Sequence, residues 1–476
     1  MHRISTLKVS NFKAIRVGVF EFSNYTPLVG YNNAGKSSIL EALTWVIKPS
    51  SISATSFNNP EHQVSVAVKV SGITDAVLAG LADAHRDRIA EYIENDQLEF
   101  RRTQETPGQS VSTIRLEIFD YRDGKGWVKP PTGIPPALNA LFPEVILVGA
   151  MENAADDVGK STSSSTIGKL IKQIVEPVRE QYSAQILESL TPIADQLSAR
   201  GANKDPVLKD VDQTIEGYLA DFFPGMSAKT HIPMPDIDDF LKKATIKVSE
   251  DRYGDDLEGD AATMGHGAQR SVQIALINAL AHIRRNDGGA AGRTVLLLLD
   301  EPELYLHPQA IAVVRTALKK LSGNGFQVAF TTHTGELIGA EDCAKTLIIR
   351  RTPDSGCVAL HKMEDVANII EDHANQAVTL FELSNSKEFL FSDRVILVEG
   401  KTETIIFLHL YRRIKGKSLL ADRIGLVRRN GYGSMRASRK SALYFSACQK
   451  MANLNCLTMD FQKILKFALL RKGLNC

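Results

Sequence analysis

A phosphate-cradling loop near the start restricts this chain more than any other feature. Gly30, Tyr31, Asn32, Asn33, Ala34, Gly35, Lys36 and Ser37 follow the pattern of a glycine, four residues, then Gly-Lys and a hydroxyl residue. Such a loop works only between a strand and a helix. Residues 20–29 are extended and apolar in patches, and residues 38–47 carry apolar side chains at helical spacing. The glycines let the backbone wrap phosphates, and the free amides at the helix start bind anions. Lys36 reaches the terminal phosphates and the Ser37 hydroxyl can ligate Mg2+. Gly30, Asn32, Asn33, Gly35, Lys36, Ser37 and Ser38 are therefore expected to bind a nucleotide. With the alternating run 6–13 before it, the chain opens as an α/β domain.

What is done with the nucleotide depends on a second feature. Residues 295–299 are all aliphatic and lead into Asp300, Glu301, Pro302 and Glu303, a buried strand delivering acids to its carboxyl edge. Asp300 can hold the coordination shell of a metal, and Glu301 can orient the attacking water, because phosphoryl transfer needs mainly positioning and charge neutralisation. The bland alternative is a strand ending in surface acids. The segment from Gly265 through Gly267 to Gln269 precedes the helix before this strand, and His333 follows the next strand after Thr331 and Thr332.

The 476 residues suffice for two or three domains of about 100–200 residues. A net charge of +1 leaves no global attraction to nucleic acid or membrane, so any polyanion site must be a local patch. The 5 cysteines lack the spacing of a disulfide framework or a structural zinc, which points to reduced thiols in a cytosolic protein. No apolar run approaches the ~20 residues of a membrane helix, and the first residues have no signal-peptide core. Secreted and membrane-spanning classes are thus disfavoured.

Along the chain, runs 64–70 and 111–119 read as strands flanking a helical stretch 76–95. Apolar residues at three- to four-residue spacing over 167–197 predict a long helix, which Pro177 and Pro192 should kink or split. It is either an ordinary core helix or an inserted hairpin used as a dimer surface. A helix over 269–284, a strand 294–299, a helix 309–321 and strands 328–330 and 346–350 predict a mostly parallel sheet. After a polar stretch at 382–393, three strands at 395–398, 424–427 and 456–459 alternate with helices. The expected domains are 1–160, the first half of the ATPase; 161–230, the helical insert; 231–381, its second half; and 382–476.

That last segment has its own acids. The strand ending at Val398 is followed by Glu399, Gly400 and, at a helix start, Glu403, which resembles the opening of a Toprim domain. Strand cleavage of DNA needs hard cations clamping the scissile phosphate, held by carboxylates at strand ends. Glu399, Glu403 and Asp460 are the expected ligands of Mg2+, with Mn2+ as an alternative. The basic cluster Arg428, Arg429, Arg436, Arg439 and Lys440 is either a phosphate contact or a solvated face. Toprim domains carry Asp-x-Asp where this chain has Asp460-Phe461-Gln462, and Gln462 brings no charge. The last residue, Cys476, is also close behind, so the domain is expected to be partial: a crippled nuclease site, or a shortened version of a longer chain.

The order of phosphate loop, Gly-rich segment, aliphatic strand ending in Asp-Glu, and histidine resembles the ABC-type ATPases of the repair and chromosome-organising group. That resemblance implies that Gly265, Gly267 and Gln269 cap ATP held by a second subunit, and that His333 touches the terminal phosphate. The signature is degenerate, reading Met264-Gly265-His266-Gly267-Ala268-Gln269. With Toprim joined behind, TPLVGYNNAGKSSILEAL, LLLLDEPELYLHP, TTHT and VILVEGKTE resemble the overcoming-lysogenisation-defect (OLD) family. The resemblance implies an α/β architecture, an ABC-type P-loop ATPase with a helical insert followed by a partial, Rossmann-like Toprim domain. It also implies a cytoplasmic homodimer or higher homo-oligomer, ATP and Mg2+ as cofactors, DNA as substrate, no membrane partner, and a place in defence against phages, where a second component can work alongside. A nuclease-inactive sensor or scaffold and a DNA-repair ATPase are the alternatives.

Overall fold

The computed structural model describes residues 2–142, 145–149, 166–223, 226–233, 247–250, 257–260, 264–286, 294–360, 390–392, 394–398, 401–428 and 457–458. Two compact units are present, Met1–Glu152 with Arg284–Cys476, and Asn153–Ile283. The first unit begins with β1 (Arg3–Phe12), β2 (Ile15–Glu21) and β3 (Tyr25–Val29), followed by α1 (Lys36–Ile47). It continues through β4 (Val64–Ser71), β5 (Gln97–Gln104), β6 (Arg115–Asp120), β7 (Gly126–Val128) and β8 (Val145–Val148). The second unit holds α2 (Thr166–Leu197), α3 (Pro206–Phe222), the antiparallel pair β9 (Lys247–Glu250) and β10 (Leu257–Asp260), and α4 (His266–Asn286). The first unit then resumes with β11 (Val295–Leu299), α5 (Pro308–Ser322), β12 (Phe326–Thr332), β13 (Leu347–Thr352) and β14 (Gly356–Ala359). Last come β15 (Arg394–Val398), α6 (Lys401–Lys415), β16 (Ile424–Arg428) and β17 (Leu457–Thr458).

Twelve strands form one sheet in the order β7-β6-β5-β4-β1-β2-β14-β13-β3-β12-β11-β8. One half, β7 to β14, is antiparallel. Alternation of inward apolar with outward polar residues is clearest in β5, where Leu98 and Phe100 are buried between Gln97, Glu99 and Arg101, whereas β2 turns Val17 and Val19 outward. The other half, β13-β3-β12-β11-β8, is parallel. Its central strands β3, β11 and β12 are buried at every position, so the run of leucines at 296–299 reflects a strand covered on both faces. Pro27 is tolerated in β3 because β13 pairs with that strand only from Leu28 onward, past the missing N–H. A separate three-stranded parallel sheet has the order β16-β15-β17, with Ile396, Leu419, Ile424 and Leu426 as a small core.

Three sequence expectations need correction. Residues 111–113 form a single 3-10 turn and the strand starts only at Arg115. The stretch 76–95 is two short helices, Asp75–Ala79 and Asp83–Ala90, broken at Gly80. Pro177 and Pro192 do not split the long helix, since α2 runs unbroken for 32 residues. A proline deletes one backbone hydrogen bond, and a helix this long has many others to hold its course. The strand at 456–459 is present as β17; Glu399, Asp460, Gln462 and the basic cluster after Arg428 lie outside the described residues.

The second unit exposes apolar side chains in helical register. Tyr182, Ile186 and Ile193 recur along α2, and Val207, Val211, Ile215 and Tyr218 along α3, with Val207 and Tyr218 each 69% exposed. Asp205 caps α3 by accepting the Val207 N–H at 2.8 Å, ahead of Pro206 in the first turn.

Candidate active site

The phosphate loop leaves β3 and turns into α1 at Gly35, whose φ of 99° is a left-handed conformation that glycine adopts without strain. Space also demands glycine at both ends of the loop. A side-chain carbon at Gly30 would lie 2.5 Å from the Ile349 carbonyl oxygen, and one at Gly35 would lie 2.7 Å from Cβ of Cys357. The hairpin of β13 and β14 therefore braces the loop from behind. At the far end of α1, the buried Arg102 donates from Nε to the Val46 carbonyl at 2.8 Å, a cation at the negative pole of the helix.

Lys36 is buried, and Nζ donates to the carbonyls of Gly30 at 3.0 Å and Tyr31 at 3.2 Å. It also lies 2.9 Å from Nε2 of His333. Burial pushes its ammonium below the ordinary lysine range, and the carboxylates of Glu301, Asp300 and Glu303 oppose that. On the next position, Ser37 Oγ donates to both carboxylate oxygens of Asp300, at 3.0 and 2.9 Å. Thr331 Oγ1 donates to Asp300 as well, at 2.5 Å. A hydroxyl and a carboxylate side by side at a phosphate-binding helix start are the hard oxygen donors that Mg2+ takes beside nucleotide phosphates.

Glu301 follows in left-handed backbone, with φ of 47°. A non-glycine residue there is strained, and its N–H is held by Thr331 Oγ1 at 2.9 Å. The reversal sends the Glu301 carboxylate to His333, Oε1 to Nε2 at 3.1 Å, where both side chains are 29% exposed. Burial and the nearby Lys36 charge push His333 below the usual histidine range, against the pull of Glu301 and Asp300. Glu303 bonds the backbone of the same histidine, and burial pushes its carboxyl up.

Lys36, Ser37, Asp300, Glu301 and His333, chosen from separate parts of the sequence, are thus brought into one hydrogen-bonded cluster. A cation and free amides for phosphates, a hydroxyl–carboxylate pair for a metal, and a carboxylate beside an imidazole are the parts of a phosphate-hydrolysing site. In the second unit, Gly265 and His266 are exposed at the start of α4, and Gly267 and Gln269 lie inside its first turn. The helix starts three residues earlier than expected, because the Gly265 carbonyl accepts from Ala268 and Gln269. Gln269 is buried and donates to the Met264 carbonyl at 2.8 Å. Among the described residues no group of three or more acids, histidines or cysteines is placed to hold a metal, and no helix is long and apolar enough to cross a membrane. Glu403 lies in the first turn of α6.

A group of contacts around Tyr31 was not legible beforehand. The ring of Tyr31, inside the phosphate loop, is 4.3 Å from the guanidinium carbon of Arg423, which precedes β16. Its hydroxyl accepts the Arg351 N–H at 3.2 Å. The neighbouring Arg350 lies 5.7 Å from the same ring and donates to the carbonyls of Leu390 and Ser392, at 3.2 and 3.0 Å, on the approach to β15. The first loop of the ATPase site, directly through Tyr31 and by way of Arg350, therefore contacts the segments that lead into the small parallel sheet.

Residues 3–115 and 139–338 match the family described as AAA ATPase domain, and residues 390–446 match "Overcoming lysogenization defect protein-like, TOPRIM domain". The chain is 35% identical over 433 residues to the Old nuclease of Escherichia phage P2, covering 91% of this chain and 74% of that protein. It is 21% identical over 434 residues to the OLD nuclease of Thermus scotoductus, covering 87% and 74%. Among solved structures, the Smc head domain with an extended coiled coil from Pyrococcus furiosus aligns with a TM-score of 0.44 at 14% identity, over 78% of this chain and 99% of that one.

Proposed function

Given that the chain belongs to the OLD nuclease family, whose AAA ATPase and Toprim domains use ATP and a divalent metal, we propose that it is a Mg2+-dependent DNA endonuclease controlled by its own ATPase. The observation that carries the hydrolytic half is the cluster in which His333 Nε2 lies 2.9 Å from Lys36 and 3.1 Å from Glu301. ATP is bound by Gly30, Asn32, Asn33, Gly35, Lys36, Ser37 and Ser38, Glu301 orients the attacking water, and His333 senses the terminal phosphate. Ser37 and Asp300 hold Mg2+, which neutralises phosphate charge when bound. Gly265, Gly267 and Gln269 cap the nucleotide of a second subunit. Exposure of Gly265 at the start of α4 supports that role for the glycine, while Gln269, buried in the same turn, would have to leave the Met264 carbonyl to reach a nucleotide.

A homodimer is supported by the apolar stripes of α2 and α3, which a second copy would cover. Residues 382–476 form the cleaving module, with Glu399, Glu403 and Asp460 as ligands of its Mg2+ or Mn2+. A cytoplasmic role in defence against phage DNA follows from this reading, with or without a second component.

Supercoiled plasmid incubated with the protein and Mg2+ or Mn2+ should be nicked, and Glu399→Ala should slow nicking by at least about 100-fold, the scale of losing one charge stabiliser. Nicking unchanged in that variant rules Glu399 out as a ligand. No nicking by the parent, with ATP turnover intact, favours the sensor reading, which the neutral Gln462 supports.

Control by ATP is supported by the Tyr31–Arg423 contact. An exposed cation–π pair is worth a few-fold in an equilibrium, so Arg423→Gln should change the ratio of nicking with and without ATP by about 2- to 5-fold. ATP turnover should stay at the parent level. An unaltered ratio would remove this contact from the control.

A further inference from the structure

Glu303 stands two residues beyond Glu301, and its side chain serves the same histidine from the opposite end. Oε1 accepts the His333 backbone N–H at 2.7 Å and the Thr332 hydroxyl at 2.9 Å. Its other oxygen, Oε2, is buried without a hydrogen-bond partner among the described residues. Keeping a carboxylate there is costly, since buried charge is stabilised only through the bonds it makes. Both donors belong to the last two residues of the segment that carries the imidazole. Their position decides whether His333 Nε2 stays within reach of Lys36 on one strand-loop and of Glu301 on another.

We infer that Glu303 is a positioning residue for ATP hydrolysis, holding His333 where its ring meets both Lys36 and Glu301. The inference rests on the role proposed above for His333. It adds a residue that touches neither phosphate nor metal yet sets the geometry of those that do.

Misplacing a catalytic group by about 1 Å can cost on the order of 100-fold in rate, so Glu303→Ala should lower kcat by roughly 10- to 100-fold. KM should move by less than about 3-fold, because loop, lysine and serine are untouched. Glu303→Gln keeps a carbonyl acceptor at the same place and should return to within about 5-fold of the parent. In a His333→Ala background, Glu303→Ala should add less than about 2-fold, since there is no imidazole left to place. Multiplying losses in that background, or a Gln variant no faster than the Ala variant, would overturn the inference. Parent-level turnover of Glu303→Ala beside a slow His333→Ala overturns the role of Glu303 alone. Fast turnover of His333→Ala itself overturns the reading beneath it. If Glu303→Ala lacks a cooperative thermal transition, Thr332→Val carries the same cycle. A several-fold fall in kcat that vanishes in the His333→Ala background supports the inference, and equal effects in both overturn it.

Discussion

Glu301→Gln is expected to bind ATP within about 3-fold of the parent affinity and to hydrolyse it roughly 100- to 10,000-fold more slowly, the range for loss of a general base. The substitution is nearly isosteric, so the strained backbone at φ 47° and the hydrogen bond that its N–H donates to Thr331 Oγ1 persist. What disappears is the charge that faces His333 at 3.1 Å. A neutral amide can still meet the imidazole but cannot draw a proton from water. Phosphate release measured beside a fluorescent-nucleotide titration separates the two properties. Equal turnover by variant and parent would remove Glu301 from the hydrolytic role.

Lys36→Ala acts one step earlier, at binding. The ammonium is the cation of a pocket that also contains the carboxylates of Asp300, Glu301 and Glu303, each acting on its ionisation. Its removal leaves Asp300 and Glu301 facing a polyphosphate without the lysine's opposing charge. Two charge-assisted hydrogen bonds to phosphate, at ~1.5–3 kcal/mol each, correspond to an affinity loss of at least about 100-fold. ATP at about 100 times its dissociation constant stabilises a folded protein by ~2.7 kcal/mol, so the parent should melt higher with nucleotide and the variant should not. Calorimetric titration giving Kd within about 3-fold of the parent would show that the loop amides suffice.

The cluster was legible where chemistry restricts residue types tightly. Only glycine fits at Gly30 and Gly35, and only a fully covered strand can be as aliphatic as β11, so the loop and its partner acids stood out together. Glu303 and Thr331 were visible as residues but not as parts, because a hydrogen-bond acceptor is defined by what the fold brings to it. Tyr31 occupied a position where the motif accepts anything, and its partner Arg423 is remote in sequence. The prolines of α2 misled for a related reason: propensity describes a residue's cost, and a long helix can absorb it.

The strand order carries a consequence for biosynthesis. β3, which launches the phosphate loop, has β12 and β13 as its neighbours, with Val29 paired to Thr332 on one side and to Ile348 on the other. Neither edge can be satisfied until its own late partner strand has been made. At roughly 5–20 residues per second, the ribosome leaves the apolar strand unpaired for tens of seconds. During that interval the nascent N-terminal half exposes sticky edges and has no finished nucleotide pocket, so ATP cannot help it fold. Yield is thus expected to respond to translation rate and to chaperone supply, a consequence of the crossing order of the sheet.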